Sequence, residues 1–266
     1  MVWVEGPEAV AFLDGQLSAD VAGSAPGAVA RSFLLEPRGK LRAIVWVLRA
    51  ESGAGLLCEL DRAPVVVDAL RRFLFRTDAR VEPGETLDTF WGRGEDDRPH
   101  WELAAEGPVI TLPGTAPHRA MAGARGPWLT AEQVAAHRIV AGEPKFGRDV
   151  GEDTIPHETG LVAEAVSFTK GCYLGQELVA RIDSRGHVNR HLRRIDFPAA
   201  QVPDGAEVFL GEAEAGSLGT VAPVPDGTVA LALLHRQAVP GAEVVARWPG
   251  GTARGWVESL AEPVST

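Results

Sequence analysis

The residues with the most chemical potential lie in one octapeptide, Lys170-Gly171-Cys172-Tyr173-Leu174-Gly175-Gln176-Glu177. A thiol two residues from an ammonium, with a glycine on either side, is the pattern of a reactive cysteine held in a tight turn. Upstream, Ala165 to Thr169 read as a short strand rich in β-branched and aromatic residues; downstream, Gln176 to Arg181 read as a helix opening at Gly175. If the strand continues to Cys172, alternation places Val166, Phe168, Lys170 and Cys172 on one side. Lys170 and the helix N-terminus would then both favour the thiolate, the form that acts as nucleophile or metal ligand. The competing reading is a small buried thiol that fills the turn, since free cysteine is among the most buried residue types.

Three histidines, His157, His187 and His191, can supply a base, but no spacing forces any of them beside Cys172, so a cysteine hydrolase has little support. A second concentration is of charge: five arginines (181, 185, 190, 193, 194) and two histidines stand against the single acid Asp183 in a chain of net charge -10. Such a reversal recruits an anion, a polyglutamate tail or a phosphate, unless it is only a solvated face. Glu177 and Arg181, four apart, read as a surface ion pair, and Arg38, Lys40 and Arg42 as surface charge. No GxGxxG opens a helix and no GxxxxGK[ST] occurs, which disfavours nicotinamide-driven and ATP-driven chemistry.

The elements that must position these residues read in order. A short strand at Val2 to Val4 precedes a helix over 7–18, with Pro7 at its start and Val10, Leu13 and Leu17 at helical spacing. Ala28 to Leu35 and Leu41 to Arg49 form a hairpin across Glu36-Pro37-Arg38-Gly39-Lys40. Gly55 to Leu60 is a third strand with Cys58 in the core, and Pro64 opens a helix running to Phe75. Shorter strands follow at Ala79 to Val81, Thr89 to Trp91, His100 to Leu103 and Pro108 to Leu112, around a charged loop at Arg93 to Arg98. Thr130 to Gln133 has the spacing of a capping box, and that helix should stop at Gly142, with His137 and Arg138 on a solvated face. Glu143 to Leu161 is a long site-lining loop. Six β runs between Leu192 and Leu260 suggest a small closed barrel. The layout is α+β, a body over 1–188 with a sub-boundary near 76–98, then a barrel over 189–266.

Composition is that of an ordinary globular chain, 45% hydrophobic and 23% charged. The acidic balance argues against general nucleic-acid binding. Two cysteines, Cys58 and Cys172, cannot build a metal site alone, so no intrinsic metal is expected. No run approaches the ~20 apolar residues of a membrane helix. The opening residues lack the basic start and apolar run of a signal peptide, so a reducing cytoplasm is the expected location.

The octapeptide, continued as Leu178-Val179-Ala180-Arg181 and Arg185-Gly186, resembles the signature of the YgfZ family of folate-binding proteins, relatives of the glycine-cleavage aminomethyltransferase and of a mitochondrial iron–sulfur-cluster assembly factor. Arg138-x-x-x-Gly142-x-Pro144, Ile155-Pro156-x-Glu158 with Leu161, Phe12-Leu13-x-Gly15-Gln16-Leu17-Ser18-x-Asp20 and Pro37-x-Gly39-Lys40 carry the resemblance over most of residues 1–186. The resemblance implies a longer start than Met1 gives, so the family's N-terminal strand is expected to be missing or remodelled.

The resemblance implies an aminomethyltransferase-like body of ferredoxin-like halves that binds tetrahydrofolate, followed by a β-barrel. It implies upkeep of iron–sulfur enzymes, including one that thiomethylates transfer RNA. Cys172 and Lys170 become the catalytic candidates; Glu158, facing the pterin, Gln176, Arg181 and Arg185 become the folate contacts. The implied partners are folate and iron–sulfur client or assembly proteins, with a transient cluster shared between chains because one cysteine cannot hold it. Two departures bear on activity: nothing between His100 and Trp128 matches the aminomethyltransferases' Gly-Tyr-Thr-Gly-Glu segment, and no counterpart of their catalytic aspartate stands near Glu59 to Arg62. The alternatives are a folate-dependent aminomethyl or one-carbon transferase and a non-catalytic interaction module.

Overall fold

Alternating apolar residues on consecutive strands build the first layer of this computed structural model, which describes residues 1–86, 88–91, 100–104, 107–112, 118–121 and 130–260. Strands β1 (Val2–Glu5), β2 (Val29–Leu35), β3 (Leu41–Ala50), β4 (Gly53–Leu57) and β5 (Arg80–Pro83) form an antiparallel sheet in the order β2-β3-β4-β1-β5. Period-two alternation puts Ala43, Val45 and Val47 of β3 on one face, where helices α1 (Ala9–Gln16) and α2 (Ala63–Arg71) cover them with Phe12, Leu13, Val66 and Leu70, joined by Leu17 just past the end of α1. Each such leucine, fully buried, contributes about 2 kcal/mol. Leu13→Ala would cost roughly 3 kcal/mol. Pro64 sits at the start of α2, where a missing N–H costs nothing.

A second sheet has the order β6-β9-β8-β7, from β6 (Asp88–Trp91), β7 (His100–Ala104), β8 (Gly107–Leu112) and β9 (His118–Met121). The charged loop at Arg93 to Arg98 lies outside the described residues.

Helix α3 (Ala131–Ala141) starts and stops as its sequence dictates. The Thr130 side chain accepts from the Gln133 N–H, the Gln133 side chain accepts from the Thr130 N–H, and Gly142 takes the left-handed conformation (φ 70°) at the end. It packs on two strands of a closed six-stranded barrel. The barrel comprises β10 (Arg190–Pro198), β11 (Glu207–Leu210), β12 (Ala213–Val224), β13 (Gly227–His235), β14 (Glu243–Trp248) and β15 (Gly251–Glu258), and pairing of β10 with β15 closes it, leaving no free edge. Ile195, Phe197, Val208, Ala230, Leu234 and Val257 fill the interior. Gly255 makes room for Phe197: a Cβ there would stand 2.6 Å from the ring.

The chain divides into two compact units, Met1–Pro127 with Leu161–Ser184, and Trp128–Gly160 with Arg185–Thr266. The sequence places everything up to residue 188 in one body; in the structure residues 128–160 group with the barrel instead. The cause is packing of α3 on β12 and β13, together with the hold of the following loop on β12 through Asp149.

Candidate functional site

Between α4 (Val162–Ala165) and α5 (Gln176–Arg185) runs the loop that carries the octapeptide. It is not a strand. The Val166 N–H closes α4 on Val162 O and the Ser167 N–H donates to Ser18 O, so Ala165 to Thr169 join no ladder despite their strand-like composition. Farther along, Leu174 N–H donates to Gly15 O, and Ser18 Oγ donates to Ala165 O (2.5 Å) while accepting from Phe33 N–H (2.8 Å). The loop is therefore laced to the segment Phe12 to Asp20, and two of the stretches that carry the family resemblance share one hydrogen-bond network.

Without a strand the alternation argument fails, and Lys170 and Cys172 do not share a role. The Lys170 side chain is 2% exposed. Its ammonium donates to Asp14 O (2.5 Å), Leu17 O (3.0 Å) and Ala19 O (2.8 Å) and lies 3.0 Å from Asp14 Oδ1. These oxygens cluster at the C-terminal end of α1, where a cation opposes the negative end of the helix dipole. Lys170 thus clamps a helix end; its donors are spent and none is left to serve a thiol. Its ammonium lies 5.4 Å from the Tyr173 ring centroid, and burial pushes the Tyr173 hydroxyl up to about 12.

Gln176 is likewise committed: its Oε1 accepts from the Tyr173 N–H at 3.0 Å, closing the turn that starts α5. Gly175 adopts φ 82°, and a Cβ there would stand 2.6 Å from Glu36 O and 3.1 Å from Gly39 Cα. Gly39 answers with φ 84° and a would-be Cβ 2.9 Å from Gly175 O. The β2–β3 turn and the start of α5 touch backbone to backbone, which only glycine at both points permits.

One side chain of the octapeptide is left facing outward with a reactive atom: Cys172 is exposed, which overturns the buried-filler reading. Cys58 behaves as expected of a core thiol, half-buried against the first layer and pushed up to about 11 by burial. His157, His187 and His191 all belong to the other unit. On α5, Glu177 and Arg181 form no ion pair among the described residues, and neither Arg181 nor Arg185 has a carboxylate partner there; both are exposed, one turn apart.

In the barrel unit Glu158 is buried, and its carboxylate is already taken. Arg190 donates Nε to Oε1 (2.9 Å) and Nη2 to Oε2 (3.1 Å), and the Ile155 N–H donates to Oε2 (3.1 Å). This bidentate bond holds the Arg190 guanidinium above its ordinary range. Glu158 is thus an anchor for the loop on β10 rather than an acid free to face a pterin. Asp149 anchors the same loop on β12, accepting from Lys145 N–H (2.6 Å), Thr220 N–H (2.6 Å) and Thr220 Oγ (2.9 Å). Burial raises its pKa against those bonds. Residues 147–151 with Asp153 and Thr154 form one wall of a groove of about 620 Å³, faced by Arg190, Glu214, Ser217 and His235.

Sequence reasoning missed Asp14, the unassigned position in Phe12-Leu13-x-Gly15. It receives Lys170 and the Val21 and Ala22 N–H groups (3.0 and 3.1 Å). It also missed Asp149; an acid inside a Pro- and Gly-dense loop was the available signal. No three His, Cys, Asp or Glu side chains form a metal-holding group among the described residues, and no described helix is long and apolar enough to cross a membrane.

No family model matches the chain. Among curated proteins it is similar to an uncharacterized protein of Haemophilus influenzae, 30% identical over 192 residues, 70% of this chain and just under two thirds (66%) of that one. It is 42% identical over 81 residues to the tRNA-modifying protein YgfZ of Serratia proteamaculans, covering 28% of this chain and 24% of the relative. The YgfZ of Pectobacterium carotovorum is 26% identical over 238 residues, 78% of this chain and 72% of the relative. Among solved structures, the glycine cleavage system aminomethyltransferase T from Bartonella henselae superposes with a TM-score of 0.79 over 97% of this chain and 82% of that one; at 21% identity it shares the fold.

Proposed function

This chain belongs to the YgfZ family, related in fold to the glycine-cleavage aminomethyltransferases, and from that premise we propose that it is a folate-binding accessory protein in transfer-RNA modification, serving iron–sulfur enzymes through Cys172. The observation that carries the reading is the contrast within the octapeptide: Lys170, Leu174, Gly175 and Gln176 are each held by the body, and Cys172 alone presents a reactive atom to solvent. A rigid turn that displays one thiol suits a transient ligand. The sulfur binds an iron of a client's cluster, its proton leaves to water, and the other ligands come from the client, small thiols or a second copy.

Tetrahydrofolate, when bound, supplies a carrier for one-carbon units. Glu158 does not fit as its pterin acid, since Arg190 and Ile155 occupy both oxygens. Arg181 and Arg185 fit its tail: exposed guanidiniums on one face of α5, unpaired with any carboxylate among the described residues, match consecutive glutamates. Two exposed pairs at roughly 0.2–1 kcal/mol each tighten a polyglutamated folate by about fivefold over the monoglutamate. Calorimetry at low and high salt, on the wild type and on Arg181→Gln/Arg185→Gln, tests this. The preference should appear at low salt and vanish in the variant; absence of heat with either folate removes the folate reading.

A further inference from the structure

From the last residue of α2 the chain reads Arg71-Arg72-Phe73-Leu74-Phe75-Arg76-Thr77-Asp78-Ala79-Arg80, four arginines against one acid in a protein of net charge -10. Tight turns fold this stretch on itself: Phe73 N–H donates to Leu70 O, Leu74 N–H to Arg71 O and Thr77 N–H to Leu74 O. Leu74 is the residue that packs on the core, so its neighbours are turned out; Phe75 is 80% and Phe73 42% exposed. Arg71 is committed, donating to Val81 O and lying 3.5 Å from Glu82. Arg72, Arg76 and Arg80 are exposed and meet no carboxylate among the described residues. Arg76 adopts φ 61°, a left-handed conformation uncommon outside glycine, and its guanidinium lies over the Phe75 ring, 5.1 Å from the centroid. Backbone strain that holds a cation on an exposed ring calls for a use.

We infer that this turn is a contact site for a single strand of RNA, with a base stacked on Phe75 and phosphates taken by Arg72, Arg76 and Arg80. The two features match that ligand together: every base has a π-face, whatever the sequence, and every linkage carries the anion that three unpaired arginines need. An acidic protein would satisfy the arginines and leave the rings unused. The site shares no residue with the octapeptide and stands independently of the folate reading. Because the rest of the chain is acidic, the contact is weak and strongly salt-dependent.

The test is fluorescence anisotropy of a labelled unstructured RNA of about 16 nucleotides with the full chain. Each phosphate contact on a single strand contributes about 0.7 to the log–log salt slope, so three give a slope near -2 and about a sixteenfold loss over a fourfold rise in salt. Phe75→Ala should weaken binding about tenfold and Phe75→Trp preserve it. Arg72→Gln/Arg76→Gln/Arg80→Gln should flatten the salt slope. All these side chains are exposed, and unchanged melting temperatures will show the fold intact. No binding by the wild type at low salt overturns the inference. So does binding indifferent to Phe75→Ala, or equal competition by polyglutamate of matched charge, which would assign the patch to an acidic protein.

Discussion

Replacing Lys170 by methionine separates a clamp from a catalytic group. Methionine keeps the apolar stem and removes the charge, so the Asp14, Leu17 and Ala19 carbonyls lose their donor and Asp14 loses its cation. Breaking a buried pair by removing one partner costs about 3–5 kcal/mol. The low end applies, because Asp14 keeps the N–H groups of Val21 and Ala22 and its side chain is 19% exposed, so water reaches it. About 3 kcal/mol is a large part of a typical stability of 5–15 kcal/mol. It corresponds to a fall in Tm of roughly 6–12 °C for a chain of this size. Urea unfolding followed by far-ultraviolet circular dichroism measures the stability change, and the rate of Cys172 modification by a disulfide reagent measures thiol chemistry in the folded variant. The clamp predicts a large loss of stability with thiol reactivity preserved within about twofold. A loss under about 1 kcal/mol, with reactivity down tenfold or more, would refute the clamp and return Lys170 to the thiol.

Gly175→Ala forces a side chain into a left-handed position, at about 1–2 kcal/mol, and against Glu36 O; chemical denaturation should show a loss of about 3 kcal/mol or more. Gly171→Ala meets nothing within 4 Å and should cost under about 0.5 kcal/mol by the same measurement. Burial first, and Arg193 second, depress the His191 pKa below its ordinary 6.5, against the opposing pull of Glu158. The unfolded chain therefore binds the proton first, and the stability this group contributes is present above 6.5 and lost as pH falls through the depressed value. His191→Gln should flatten that acid limb of a melting-temperature profile and leave the neutral region unchanged.

What the sequence made legible follows from local rules. Pro64, the Thr130–Gln133 box, Gly142 and the regularly spaced β runs of the barrel each act within a few residues, and each stands where those rules put it. The octapeptide was legible as a site but misread in geometry. Ala165 to Thr169 have strand composition, yet a strand needs a partner edge, and here the Ser167 N–H goes to Ser18 O. Alternation places Lys170 beside the thiol, whereas its partners lie at sequence separations of 151 to 156. The resemblance implies Glu158 as the acid facing a pterin, but Arg190 reaches it from β10. Long-range pairing of charged groups is what composition and period leave unstated.

The central claim is that Cys172 acts through its sulfur and not through its place in the turn. Cys172→Ser keeps a small polar side chain at an exposed position, so stability should change by less than about 0.5 kcal/mol. Expressed in a bacterium deprived of its own YgfZ, the serine form should fail to restore the activity of an iron–sulfur tRNA-modifying enzyme that the wild-type chain restores. Full restoration by a stably folded serine form would contradict the account.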